Sequence, residues 1–459
     1  MAVTAKGIPA VLPWRRARQA ARRLGWGVAD QGMSSLTNFL LSIYVARTLG
    51  AVQFGAFSLA YVTFGFALNV SRGLATDPLM VRFSGTDLPA WRRAVADCTG
   101  TAVAVGLASG ACVSAAGLLL GGTTGSAFLA LGLTLPGLLL QDSWRYSFFA
   151  LGRGHYAFIN DAVCAASLLP SLVFLQMSGH ASVFWFVFAW GATTTVGAAI
   201  GPLQARVAPS LAAAGNWLSS HRDLGPRFTA EGSASSVAGL LRSYGIDLIL
   251  GLASVGYIQA ANTLIGPFRI VYTGMSMITL PEAARLLRSS PQRLPLYCAA
   301  VSSGFVMLGL AWGVALLVAM PRGLGYLMLG SLWRPTYPLV LPATVSAMGM
   351  AGAGIGAGTG LHALGAARRS LRAMLLSSAL TVACALTGAM VTGTAVGTTW
   401  FVAAASWLNA LVFWWQFRQA LREADIGTAH GRASSLRRTG RHRRPLITRR
   451  VGSPPAARR

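Results

Sequence analysis

The chain has 459 residues, 54% of them hydrophobic and only 11% charged. A soluble domain carries about 25% charged residues, so water cannot be the solvent for most of this surface and lipid must be. The net charge of +26 comes from 38 basic residues, with Lys6 the sole lysine. The arginines gather in short loops and at both ends, which marks membrane orientation and argues against nucleic acid as a partner.

In chain order, the basic stretch WRRARQAARR (14–23) leads into an apolar run that continues past Thr48. That run is too long for a signal-peptide core and no A-x-A site ends it, so it reads as an uncleaved first span over 24–48. Further apolar windows predict helices at 52–72, 94–120, 124–151, 157–177 and 181–205. After a polar stretch, 206–228, come 229–252, 256–282, 295–320, 335–361, 370–392 and 396–420. Each is long enough to cross the hydrocarbon layer, and only helices satisfy their own backbone there without a closed barrel.

Twelve spans place both ends on one side. Four of the six turns expected outside, GGTTGS, SGHAS, GLASVG and TGTAVGTT, have no arginine; the first has only Arg47 beside it and the fifth has Arg322 and Arg334. Loops expected inside hold Arg82, Arg92 and Arg93, then Arg153, then Arg206, Arg222 and Arg227, then Arg285, Arg288 and Arg293, then Arg368, Arg369 and Arg372. The asymmetry predicts cytoplasmic termini.

An internal repeat supports the even count. At an offset of 201 residues, Leu49, Gly50, Gly55, Ala60 and Gly65 match Leu250, Gly251, Gly256, Ala261 and Gly266. Ser34, Ser35, Leu40 and Ser42 match Ser235, Ser236, Leu241 and Ser243 in the same register. The expected fold is therefore an all-α polytopic membrane protein of about twelve transmembrane helices, in two six-helix lobes related by a parallel repeat. The predicted organisation is a basic N-tail (1–23), a first lobe (24–205), a cytoplasmic linker (206–228), a second lobe (229–420) and a basic disordered C-tail (421–459). A parallel repeat relates the lobes by an axis along the membrane normal and places a site between them.

The Gly352-x3-Gly356-x3-Gly360 run fits close helix packing in lipid and not a nucleotide loop. The clusters FWFVF (184–188) and FWW (413–415) fit interfacial belts or lipid-facing surface. Five scattered cysteines and six histidines show no metal spacing, so no metal and no cofactor is expected.

The chemistry lies in ionisable residues within the spans, each costing about 2.5–3.5 kcal/mol at a helix centre on insertion scales. These are Asp30, Asp142, Arg145, Asp161, Arg242, Asp247 and Arg269, with Arg47, Arg72 and Glu231 at the rims. Arginine forks onto phosphate oxygens, and low dielectric strengthens the pairing. Arg269, Arg242, Arg145 and Arg72 are therefore the substrate-binding candidates, Arg242 and Arg269 at similar depth. Asp30 and Asp247 are the candidates for coupling to protons or sodium. The plainer reading is internal ion pairing, with Asp142 and Arg145 at helix i,i+3 spacing. Arg47 reads as an interfacial anchor.

FLLSIYVARTLGAVQFGAFSLAY and LILGLASVGYIQAANTLIGPFRIVYTGMSMITLPEAARL (248–286) resemble the corresponding segments of bacterial polysaccharide flippases of the MATE-like MOP exporter superfamily. QDSWRYSFFALGRGHYAFIND has the same look, and the resemblance covers roughly 24–420. It implies a bacterial plasma-membrane flippase that turns polyprenyl-pyrophosphate-linked oligosaccharide to the outer leaflet by alternating access. Related precursor flippases hold the pyrophosphate with cavity arginines; here Arg145, Arg242 and Arg269 are chosen from depth. The implied partners are the lipid-linked oligosaccharide, anionic lipids at the basic tails and polysaccharide-assembly proteins.

Three alternatives stand beside this. A multidrug extruder of the same superfamily would need acidic and aromatic cavity groups. A scaffold for wall assembly would show a closed, self-neutralised core. A membrane glycosyltransferase would need carboxylates or a metal on a sizeable outer loop, and no outer loop carries Asp or Glu, so an enzyme is not expected.

Overall fold

The computed structural model describes the backbone of residues 13–440, all of its regular structure helical. Helix α1 (Pro13–Ser71) bends at Gly50, where φ is 76° and ψ 175°, a conformation that residues with a Cβ disfavour. A π-helical turn, Arg72–Thr76, carries the chain into α2 (Asp77–Phe83). Helices α3 (Leu88–Leu120) and α4 (Gly122–Ala150) form a hairpin about Gly121, with Gly110 and Gly117 set against the backbone of Gly132 and Gly125. Next come α5 (Gly154–Met177), α6 (Val183–Ala205) and the short α7 (Ala214–Ser220).

The second half opens with α8 (Gly225–Leu250), α9 (Leu252–Leu264) and α10 (Gly266–Ser289), then α11 (Leu294–Ala319) and the short α12 (Leu324–Leu329). Helix α13 (Trp333–Ala351) passes through a second π-helical turn, Gly352–Gly358, into α14 (Thr359–Ala363). Helices α15 (Ala367–Thr392) and α16 (Ala395–Gly440) complete the chain.

Nine helical stretches among the described residues are long and apolar enough to cross a membrane. The first of them contains the Gly50 bend and makes two passes. Helix α8 and the α9–α10 pair supply two more, which gives twelve.

The internal repeat has a structural counterpart. Gly251, the partner of Gly50 at the 201-residue offset, has φ 80° and ψ 165° and ends α8 as Gly50 ends the first arm of α1. Gly55 and Gly256 then face each other across the two halves. A Cβ on Gly55 would stand 2.0 Å from the Leu252 carbonyl oxygen, and one on Gly256 would stand 2.3 Å from that of Ala51. Ala51 and Leu252 are themselves partners at that offset, so the contact is reciprocal about a pseudo-two-fold axis.

From this crossing the second arm of α1 follows α8 toward the arginine-rich face. Thr63 Oγ1 and Tyr244 Oη lie 2.6 Å apart, and Asn69 Nδ2 donates to Ser236 Oγ at 2.6 Å. Gly73 meets the backbone of Thr229. At the other face Arg47, read from the sequence as an interfacial anchor, donates from Nη1 to the Leu327 carbonyl at 2.7 Å and ties α1 to α12.

Three details add to the sequence expectations. The polar linker 206–228 has structure of its own. It holds α7, whose buried Trp217 donates from Nε1 to the Leu74 carbonyl at 3.1 Å, and Asp223 accepts from Arg82 at 2.7 Å. Over 421–440, expected to be disordered, the chain continues as α16; 1–12 and 441–459 lie outside the described residues. In the FWFVF cluster Phe186 is fully buried in the central core, because α6 turns that face toward α1 and α4.

The reciprocal glycine contact yields a paired prediction. Gly55→Leu or Gly256→Leu forces the halves apart and lowers the melting temperature of the detergent-solubilised protein by an amount corresponding to about 1–3 kcal/mol or more. Gly65→Ala, on the same helix with open space at its Cβ, is neutral or stabilising by up to about 1 kcal/mol.

Candidate functional site

Each half encloses a cavity. The first, about 310 Å³, lies among α1, α4, α5 and α6. The π-helical turn sets Arg72 toward α4, where its Nε and Nη2 donate to Asp142 Oδ2 and Oδ1 at 2.9 and 2.7 Å. Its guanidinium carbon sits 4.9 Å from the centre of the Tyr146 ring. One turn along α4, Arg145 donates from Nε to Asp30 Oδ2 at 2.5 Å and from Nη2 to Gln31 Oε1 at 3.3 Å. The i,i+3 pairing of Asp142 with Arg145 is thus not the one formed. Along α4 the two side chains diverge, Asp142 to the π turn and Arg145 to the first arm of α1.

Asp161 lines this cavity, forms no ion pair among the described residues although Arg145 is within electrostatic reach, and accepts from Gln141 Nε2 at 2.5 Å. Asp30 is wholly buried behind Arg145, its Oδ1 without a hydrogen-bond partner. Counted as ionised, Asp30, Asp142 and Asp161 outnumber Arg72 and Arg145, and Asp77 on α2 adds to the field at Arg72. Beside them Tyr61, Phe64 and Trp190 form an aromatic wall with ring centres 5.0–6.3 Å apart.

The second cavity, about 410 Å³, lies among α8, α9, α10, α13, α15 and α16. Arg242 and Arg269 both line it, close enough to act on each other electrostatically. No carboxylate shares the lining, and among the described residues neither arginine is in an ion pair. Arg269 is exposed and within electrostatic reach of Tyr61 in the first cavity and of Tyr272 in its own. Asp247, five residues beyond Arg242, lines neither cavity because that spacing turns it about 140° around the helix. Glu231 lies exposed on α8.

The two cavities occupy equivalent places in the repeat. Tyr61, Phe64, Leu68, Asp142, Arg145 and Tyr146 line the first. Their partners at the 201-residue offset, Asn262, Ile265, Arg269, Ala343, Ser346 and Ala347, line the second. One cavity thus lies in each half, and Arg269 of the second reaches Tyr61 of the first electrostatically. Sequence reasoning left Asp161 out of the binding set, although it is a cavity carboxylate outside any ion pair among the described residues. It also missed the second cavity's serines, threonines and asparagines. Such residues are common in membrane helices, and only the fold shows which ones converge.

Comparison of the coordinates with solved structures identifies the architecture. The inward-facing conformation of a multidrug resistance MATE family transporter of the MOP superfamily superimposes with a TM-score of 0.59 at 15% identity, covering 85% of this chain and 95% of that one. The lipid II flippase MurJ, in an inward closed conformation, gives a TM-score of 0.58 at 9% identity over 87% and 90% of the two chains. The fold is that of the MOP-superfamily transporters. A MOP superfamily transporter from Pyrococcus furiosus, described as having a binding pocket of reverse polarity, matches at a TM-score of 0.50 and 14% identity over 88% and 95%. No protein-family model matches the chain, and no curated protein matches it in sequence.

The surroundings of the arginines separate by stability. Arg72→Ala leaves a buried Asp142 unpaired and costs about 2–3 kcal/mol, below the full range for buried pairs because the Arg72 side chain keeps 26% exposure. Arg242→Met removes a cation that faces another cation, and leaves the melting temperature unchanged or raised. Thermal unfolding of the two purified variants beside wild type checks both.

Proposed function

We propose that the protein is a membrane flippase that carries a polyprenyl-diphosphate-linked oligosaccharide between leaflets by alternating access. The observation that carries this reading is the pair Arg242 and Arg269, lining one cavity with no carboxylate to neutralise them. An intramembrane cation is costly and is retained where it has a task. Two guanidinium groups facing each other in a low-dielectric space form a receptor for a multiply charged anion, and arginine geometry suits phosphate oxygens. The fold resembles both a lipid II flippase and multidrug transporters, so the choice between them rests on the arginines.

In this reading Arg72 and Arg145 are structural, each held by a carboxylate, and Arg242 and Arg269 hold the diphosphate. Arginine-rich loops and both termini face the cytoplasm of a bacterial inner membrane. The Gly55–Gly256 crossing and the Arg47–Leu327 bond close the opposite face, so the substrate is loaded from the cytoplasmic leaflet. The excess of carboxylates in the first cavity supports ion coupling through Asp161 with Asp30 behind it, in place of the Asp30 and Asp247 pair expected from the sequence.

A second reading has an observation of its own. Asp161 beside Tyr61, Phe64 and Trp190 makes an acidic, aromatic surface suited to an organic cation, as a multidrug exporter would require.

Reconstituted vesicles distinguish the two. Arg242→Ala and Arg269→Ala each reduce translocation of lipid-linked oligosaccharide at least tenfold while the protein still inserts. If both variants translocate it normally, the flippase reading fails. If wild type instead drives efflux of an organic cation that Asp161→Asn abolishes, the exporter reading replaces it.

A further inference from the structure

The α15–α16 wall of the second cavity has a chemistry of its own. Helices α15 and α16 bring hydroxyl and amide groups to it, and three of the hydroxyl protons are already used. Thr381 Oγ1 donates to the Ser377 carbonyl at 2.8 Å, Thr399 Oγ1 to that of Ala395 at 2.7 Å and Ser406 Oγ to that of Val402 at 2.9 Å. What these groups still offer the cavity is oxygen lone pairs. Asn409 turns its Nδ2 to Thr381 Oγ1 at 2.9 Å, which leaves its Oδ1 buried with no hydrogen-bond partner. Ser377 Oγ is likewise buried and unpartnered, able to accept or to donate, and both residues line the cavity.

A buried acceptor without a donor costs about 1–3 kcal/mol. An anion gains little from a wall made mostly of acceptors. A group rich in O–H and N–H donors satisfies it. One cavity thus presents two cations together with an array of mostly acceptor groups, and its volume of about 410 Å³ falls within the range of small-molecule sites.

We infer that the α15–α16 wall, centred on Asn409 and Ser377 with Thr381, Thr399 and Ser406, is a sugar subsite that holds the first hexosamine or hexose of a ligand whose diphosphate lies on Arg242 and Arg269. The inference rests on the flippase reading and adds to it the place and orientation of the sugar. Sugar hydroxyls donate to the wall while the anion remains on the arginines, so the cavity selects a glycosylated diphosphate over a bare one.

The test measures binding of undecaprenyl diphosphate and of undecaprenyl diphosphate N-acetylglucosamine to the purified full-length protein by native mass spectrometry. In wild type the attached sugar tightens binding about tenfold, equivalent to about 1.4 kcal/mol. Asn409→Leu abolishes that increment and leaves affinity for the bare diphosphate unchanged, which also shows that the variant is folded. Thr399→Val, close in shape, reduces the increment independently. Equal affinity for the two lipids in wild type, or an increment untouched in both variants, overturns the inference while the flippase reading stands. Competition by free N-acetylglucosamine at the same concentration would mean a sugar site separate from the anion and would overturn the joint assignment. If neither lipid binds, the flippase reading fails and the inference falls with it.

Discussion

Two helices can bring a carbonyl oxygen against the Cα of a neighbour only where the neighbour has no side chain, and the structure depends on this being met twice at one point. Gly55 lies against the Leu252 carbonyl and Gly256 against that of Ala51. In lipid the hydrophobic effect does not drive helices together, so close van der Waals contact between small residues must do so. The reciprocal contact fixes the pseudo-two-fold axis. It also sets the course of the second arm of α1 along α8, through Thr63–Tyr244 and Asn69–Ser236 to Gly73–Thr229. With that seam joined, α4, α5 and α6 surround one cavity on one side of the axis and α13, α15 and α16 surround the other.

The cavities inherit one geometry and differ in charge. In the first, each arginine meets a carboxylate from another helix, so Arg72–Asp142 and Arg145–Asp30 cross-link the half from within. Breaking such a pair costs more than forming it gains, because the remaining charge is stranded. These pairs therefore specify how α1 and α4 dock. In the second cavity no carboxylate among the described residues pairs with Arg242 or Arg269, and the proposed ligand rests on that lack of compensation.

Much of this was legible in the sequence, for physical reasons that can be named. Backbone satisfaction in lipid requires helices, and the arginine asymmetry of the loops sets their alternation, so twelve passes followed from composition and pattern. The repeat was legible because its glycines are held by sterics. Gly50 and Gly251 need positive φ, and Gly55 and Gly256 need the missing Cβ. Pairing of charges was not legible, because it depends on where side chains from distant segments converge. Asp142 lies one turn from Arg145 in the chain yet bonds to Arg72, 70 residues away. The acceptor wall was invisible for a related reason: Ser377, Thr399 and Asn409 become a surface only when α15 and α16 pack side by side.

The repeat makes the charge difference interpretable. At the 201-residue offset Arg269 corresponds to Leu68, Arg242 to the fully buried Leu41, Asp142 to Ala343 and Arg145 to Ser346. The second half thus lacks the carboxylate and arginine that α4 contributes to neutralise the first cavity, and carries arginines where the first half has leucines. Neither change improves packing. Losing the ion pairs removes cross-links, and a guanidinium in place of a core leucine is costly within a membrane. A duplicated scaffold free to optimise stability would have kept the arginines paired in both halves. Both departures fall in one cavity, which also holds the unpartnered Asn409 Oδ1 and Ser377 Oγ, and the proposed anionic, hydroxyl-rich ligand would account for that asymmetry without appeal to any single residue.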